Sequence, residues 1–220
     1  MAQVISAVQE KGGSGKTTLL ASLAAAFVAD GAKVAIIDTD PQQNLYQWAE
    51  KEGVSIDYLA ELDDTRLAPT IRQIDPNYDV IFVDTAGFKS AMAVYAIAAA
   101  GLVLIPSKAT ETDARGAVKT FQHVQSVGMS MGRDISAHVV LMDVDHATNI
   151  TNAIVESFDE AGIPRFKALC GHRTGFKEMF TTGGGPTGSA RSAFRQLLAE
   201  MQIKQLLTYY RTGEAWQNSK

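Results

Sequence analysis

Nine consecutive residues, Glu10-Lys11-Gly12-Gly13-Ser14-Gly15-Lys16-Thr17-Thr18, constrain this chain more than any other stretch. The apolar run Val4-Ile5-Ser6-Ala7-Val8 precedes them and reads as a buried strand. Residues 19–29 follow and read as an apolar helix. Strand, glycine-rich turn and Gly-Lys-Thr opening a helix is the layout of a phosphate-binding loop. The glycines let the backbone bend so that successive N–H groups point at phosphate oxygens, and the helix N-terminus adds its positive end. Gly12, Gly13, Ser14, Gly15, Lys16, Thr17 and Thr18 are therefore the candidate phosphate contacts. Lys16 reaches the β- and γ-phosphates as a point charge, and the Thr17 hydroxyl coordinates Mg²⁺.

Composition narrows the setting. The chain has 220 residues, 46% of them hydrophobic, which suits one compact domain. The single cysteine, Cys170, rules out an internal disulfide or a thiolate cluster and fits a reducing cytoplasm. No apolar run approaches the ~20 residues that cross a bilayer, and the N-terminus enters a strand with no basic, signal-like leader. Net charge is −4, but it is unevenly spread. From residue 165 onward nine bases face three acids, a net +6, so the first 164 residues carry −10. Such polarity reads either as solvated helix faces or as a surface for a polyanion.

Strand and helix signals alternate along the chain, the mark of a parallel sheet wrapped by helices. Strands are expected at 33–38, 54–59, 78–84, 102–105, 137–142 and 166–170. Pro106 is expected to stop the fourth of these. Helices are expected at 45–51, 64–74, 90–100, 113–127, 149–161, 174–180 and 189–210. Residues 183–186 read as a flexible loop. With no repeat, linker or low-complexity segment, the expectation is one domain over 1–220 with a polar tail from 211, in an α/β, doubly wound, mostly parallel sheet flanked by helices.

Two further motifs lie at strand ends, where open α/β sheets bind ligands. Asp38-Thr39-Asp40-Pro41-Gln42-Gln43 ends the second strand. One of its carboxylates can join a Mg²⁺ shell and the other can position an attacking water; alternatively, Asp40 before Pro41 caps a helix. Val80-Ile81-Phe82-Val83-Asp84-Thr85-Ala86-Gly87 is a Walker B strand. Asp84 holds Mg²⁺ through water, and the Gly87 amide can approach the γ-phosphate. Other candidates read as bland: His146 as a surface-loop residue, His172 and Cys170 as core packing, and Tyr209, Tyr210 and Trp216 as packing near the end.

Lys-Gly-Gly-x-Gly-Lys-Thr-Thr, with Glu10 where the common pattern has glycine and Lys11 following it, resembles the deviant Walker A box of the ParA/MinD ATPases, a branch of the P-loop NTPases. With Asp-x-Asp-Pro-Gln and the Walker B strand, the resemblance covers residues 4–87. A weaker likeness lies in Arg173-x-x-Phe176-Lys177-Glu178-Met179 and Gly183. It implies an ATP-dependent homodimer in which Lys11 reaches the partner's phosphates, with ATP and Mg²⁺ as cofactors. It also implies that Asp40 orients the hydrolytic water and that Asp38 contacts the loop and the metal shell. Relatives often carry Asn after the strand that ends here in Leu141-Met142-Asp143. Asp143 or the 183–186 loop is therefore expected near the nucleotide base.

Within that family, one cysteine excludes an iron–sulfur carrier. The tail from Thr212 to Lys220 is a poor membrane anchor, and two tyrosines do not make a tyrosine-kinase cluster. With the P-loop starting by residue 9, site-specific operator binding through an N-terminal helix-turn-helix domain, as in the larger plasmid ParA proteins, is not expected. What remains resembles the small ParA proteins that segregate or position a plasmid, a chromosome or another cargo. Their ATP dimer binds double-stranded DNA without sequence preference, and a ParB-like or cargo-adaptor partner stimulates hydrolysis. The expected place of work is the cytoplasm, on the nucleoid and off the membrane. Arg191, Arg195, Lys204 and Arg211 are the candidate DNA contacts, although four cations so spaced on one helix cannot all share a face. The alternatives are a recruiting ATPase acting on protein partners without DNA, or a metabolic P-loop ligase, which has no need of a lysine in trans.

Overall fold

The computed structural model describes residues 1–51, 56–87, 91–145 and 148–209. Seven strands, β1 (Gln3–Ala7), β2 (Val34–Asp38), β3 (Asp57–Ala60), β4 (Val80–Asp84), β5 (Leu102–Ser107), β6 (Ser136–Val144) and β7 (Arg165–Gly171), form one sheet in the order β3-β2-β4-β1-β5-β6-β7. All of its strand pairs are parallel, where a mostly parallel sheet was expected. Among the described residues eight α-helices wrap it: α1 (Lys16–Ala29), α2 (Asn44–Ala49), α3 (Asp64–Ile74), α4 (Ala91–Ala99), α5 (Glu111–Ser130), α6 (Asn149–Glu160), α7 (Thr174–Thr182) and α8 (Gly188–Ile203).

The strands are apolar on both faces, and alternation sorts their side chains between two layers. Val34, Ile36, Val80, Phe82, Leu102, Leu104, Val140 and Met142 point into one layer with α1, α2, α7 and α8. Ala35, Ile37, Ile81, Val83, Val103, Ile105, Val139 and Leu141 point the other way, toward α3, α4, α5 and α6. Ser6, the polar break in β1, is fully buried and donates its hydroxyl to the Ala96 carbonyl of α4.

Several boundaries differ from expectation, each for a physical reason. β5 runs through Pro106, which pairs with Val140. Its carbonyl accepts the Gln9 side-chain amide at 3.2 Å. The missing proline N–H thus lies on the side toward the chain that follows β1, at the end of the β1–β5 ladder. β3 begins at Asp57; residues 54 and 55 lie outside the described residues. α5 begins at Glu111 because Thr110 caps it, accepting the Asp113 amide at 3.1 Å. α8 stops at Ile203 rather than 210. Gln205 takes a left-handed conformation (φ 56°), its amide bonds the Gln202 carbonyl, and the Leu206 amide bonds the Met201 carbonyl. This is a Schellman stop without its usual glycine. The chain then returns to β1, where the Gln3 side chain donates to the Leu206 carbonyl and accepts from Thr208. Among the described residues no helix is long and apolar enough to cross a membrane.

Candidate functional site

The carboxyl ends of β1, β2, β4, β5 and β6 bring the sequence motifs to one edge of the sheet. After Val8 the chain turns through residues 9–15 into α1. Gly13 (φ 72°) and Gly15 (φ 101°) occupy the left-handed region that side chains avoid. A Cβ on Gly15 would also lie 3.3 Å from Met142 Cβ. Gly15 is the N-cap of α1 and supplies no side-chain cap, so the first turn's amides are left for an anion. Gln9, fully buried, fixes the loop's entry: its Oε1 accepts the Glu10 amide at 2.7 Å and the Thr120 hydroxyl at 3.1 Å.

Lys16 is 7% exposed. Burial pulls its ammonium below the usual lysine range, while the charges of Asp84 and Asp40 pull the other way. The Thr17 hydroxyl donates to Asp84 Oδ2 at 2.6 Å, which brings two of the three expected metal residues together. Asp84 is 1% exposed. Burial pushes its carboxyl up to about 7, reinforced by the charges of Asp38 and Asp40 and opposed by the Thr17 bond and Lys16. Asp84 Oδ1 and Ser14 Oγ are buried with no hydrogen-bond partner among the described residues. An acid that carries an unused oxygen beside a threonine hydroxyl fits the water shell of a hard cation. No three His, Cys, Asp or Glu side chains gather for a metal among the described residues. A divalent ion here would therefore complete its shell with water and phosphate oxygens.

Asp38 is fully buried and plays a scaffold part that the sequence does not announce. Its Oδ1 accepts the Asp40 amide at 3.0 Å; its Oδ2 accepts the Leu45 amide at 2.9 Å and the Tyr46 amide at 3.0 Å. Burial raises its carboxyl and those three amides lower it, with burial prevailing. Asp38 thus caps α2 from outside the helix. Asp40 does not cap that helix: α2 starts at Asn44 after Gln43 (φ 51°), and Asp40 Oδ1 instead accepts the Gln42 amide of a local turn. The Asp40 carboxylate is half-buried and close enough to Lys16 to affect it. Thr39 ties β2 to β4, donating its amide and its hydroxyl to the Asp84 carbonyl. A Cβ on Gly87 would lie 3.8 Å from the Glu10 carbonyl, so the β4 loop sits against the phosphate loop.

Beside the phosphate loop lies a cavity of about 180 Å³. Ser14, Gly15 and Thr18 form one wall; Asp143, Arg173, Phe176 and Phe180 are among the residues forming the others. Asp143, itself left-handed (φ 57°), is held between Lys108 Nζ at 2.8 Å and His172 Nδ1. Burial raises its carboxyl, but those two hydrogen bonds and charges outweigh it and hold the group below the usual carboxylate range. Of the two expected base contacts, the structure brings Asp143 to this cavity. The 183–186 loop does not line it; the Gly184 carbonyl instead accepts Trp48 Nε1 at 3.0 Å. His172 is not core packing, being half-exposed on Asp143, whereas Cys170 is buried, its thiol pushed up to about 12 by that burial. Sequence reasoning misses Lys108, whose one signal is its position just past the carboxyl end of β5.

Lys11 points along its own protomer, with Nζ 2.8 Å from Asp113 Oδ2 of α5. Of the expected DNA contacts, Arg191, Arg195 and Lys204 lie on α8 or at its end. Arg191 and Arg195 lie one turn apart on α8, both half-buried, and Arg191 Nε donates to the Pro186 carbonyl. Lys204 is not within the helix but at its C-cap, exposed and 3.8 Å from Glu200. Arg211, His146, Tyr210 and Trp216 lie outside the described residues.

A glycine-turned anion cradle at the carboxyl edge of a parallel sheet in this strand order is that of a P-loop NTPase. Known proteins narrow the class. The family described as VirC1 protein matches residues 2–184. Protein ParA of Rhizobium radiobacter is 30% identical over 185 residues, covering 82% of this chain and 83% of that one. Maintenance of carboxysome distribution protein A of Gloeobacter kilaueensis is 29% identical over 171 residues, 76% of each. The chain therefore belongs to the VirC1 family, among the ParA/MinD ATPases. The septum site-determining protein MinD of Pyrococcus horikoshii, solved with Mg-ADP, superposes with a TM-score of 0.74 at 17% identity, over 96% of this chain and all of that one. That likeness speaks for the fold.

Proposed function

We propose that this chain is an ATPase, one domain over residues 1–220, that dimerises on ATP and positions or segregates a cargo on DNA. The observation that carries the ATP reading is the bond from Thr17 to the buried Asp84, with an unused Asp84 oxygen beside Lys16 at the mouth of the phosphate loop. Amides of Gly12, Gly13, Ser14, Gly15, Thr17 and Thr18 hold the phosphates, and Lys16 lies against the β- and γ-oxygens. Thr17 and Asp84 would hold Mg²⁺, Asp84 through water. Asp38, its oxygens occupied by amides, serves the metal shell by fixing the loop that carries Asp40. Bound there, Mg²⁺ would supply charge neutralisation on the β- and γ-phosphates. Asp40 orients the attacking water, the Gly87 amide meets the γ-phosphate, and Lys11 of each protomer reaches the other's nucleotide. Asp143 and Lys108 face the base from the neighbouring cavity.

ParA and the carboxysome distribution protein, by their names and their likeness to this chain, favour partition or positioning over ligase chemistry. In this reading the ATP dimer, cytoplasmic and nucleoid-associated, binds duplex DNA without sequence preference. Arg191, Arg195, Lys204 and Arg211 are among the contributing cations, and each dimer doubles the patch. A ParB-like or cargo-adaptor protein stimulates hydrolysis and releases the dimer. Binding to random-sequence duplex with ATP, with ADP and with a slowly hydrolysed analogue tests this. Affinity confined to the triphosphate states and falling steeply with salt is expected; equal affinity in ADP contradicts DNA-dependent positioning.

A further inference from the structure

The Lys11–Asp113 ion pair joins two groups in very different surroundings. The Lys11 side chain is 47% exposed, and that of Asp113 is 1% exposed. Asp113 is the third residue of α5, inside a capping arrangement: its amide bonds Thr110 Oγ1, and the same hydroxyl donates to Asp113 Oδ2. An exposed ammonium is well solvated wherever it points. A carboxylate removed from water needs its partner, so the acid fixes the lysine rather than the reverse. The backbone ahead of Lys11 is also pinned to this helix, since Gln9 Oε1 accepts both the Glu10 amide and the Thr120 hydroxyl of α5. Lys11 can therefore leave by a side-chain swing without rebuilding the loop. A cleft of about 430 Å³ opens beside it, lined by Thr112, Arg115 and Lys119. Arg115 is already paired with Glu111. Among the described residues lining that cleft, the one acid is Glu10, the chain neighbour of Lys11.

We propose that Asp113 is a positioning residue that latches Lys11 in cis, so that the trans engagement of Lys11 requires the pair to break. This rests on the trans-lysine reading above. The latch keeps the cation off any nucleotide while the protomer is alone, and its rupture is a cost that the ATP dimer must meet. Removing the buried charge while keeping its shape should therefore favour the dimer.

The test is the ATP–Mg²⁺ dimer dissociation constant, measured by sedimentation, for Asp113→Asn in the wild-type and in the Lys11→Ala background. With Lys11 present, the substitution should tighten the dimer by about three- to tenfold, the scale of a partly exposed ion pair. In Lys11→Ala it should change nothing. Asp113→Ser, which keeps a hydroxyl beside Thr110, replaces the Asn variant if that does not fold. An unchanged constant with Lys11 present overturns the latch, as does an equal shift in both backgrounds, which marks a merely structural role. A Lys11→Ala protein that dimerises like wild type overturns the trans-lysine reading itself, and it is read separately from Asp113.

Discussion

Asp84 ends β4 with 1% of its surface in water, and burial there lifts its carboxyl to about 7. Below that pH the group keeps its proton, whereas magnesium takes the ionised form. Binding of the magnesium nucleotide should therefore release a proton and strengthen as pH rises through about 7, levelling above it. Calorimetry in two buffers of different ionisation heat reads that proton. Asp84→Asn should weaken magnesium-dependent binding by about ten- to a hundredfold and remove the pH dependence; a flat wild-type affinity across about one pH unit either side of neutrality contradicts the assignment. The raised carboxyl also has a sign for folding. Between the ordinary carboxyl value of 3.8 and about 7 the folded state binds more protons than the unfolded, so the nucleotide-free protein loses stability as pH rises through that window. At this scale the sequence is most legible where each residue sits inside a motif of its own: Lys16, Thr17 and Asp84 converge although Thr17 and Asp84 are 67 residues apart. The Lys11–Asp113 pair spans 102 residues of chain and leaves no local signal. His172 misleads because nothing near it in sequence marks Asp143 as its partner.

Among the elements, α2 depends on a contact from outside itself. Its N-cap, Gln43, contributes no side-chain bond, and Asp38 at the end of β2 takes the Leu45 and Tyr46 amides instead. Asp38→Ala leaves these donors unsatisfied and frees the loop bearing Asp40. A loss of about 1–3 kcal/mol of unfolding free energy in urea is expected, with the slope unchanged; wild-type stability would refute the capping role. Strands of near-continuous apolar sequence can be read directly, because both faces of a parallel sheet are buried. Helix ends cannot where the cap is remote, as at α2, or chemically unusual, as at Gln205 after α8. Pro106 misleads for a related reason: it breaks a ladder only where a neighbour strand needs its amide, and β1 has already ended there.

For the whole molecule, the strand order places β1 and β4 side by side, so that the phosphate loop, the Asp40 loop and Asp84 share one edge. Alternating helices and strands make the fold class readable from the sequence. That α8 stops short of Lys204 is not readable, because the stop turns on the left-handed Gln205 rather than on a glycine. In the proposed dimer, function belongs to two molecules rather than one: each site is completed by its partner's Lys11. Mixing Lys11→Ala with Asp40→Ala tests this directly. Each variant alone lacks one part of every site, but in a mixed dimer the Lys11→Ala protomer keeps its own Asp40 and receives Lys11 from its partner. The mixture should hydrolyse ATP at a rate well above the sum of the two variants measured separately. A mixture no faster than that sum would contradict completion in trans.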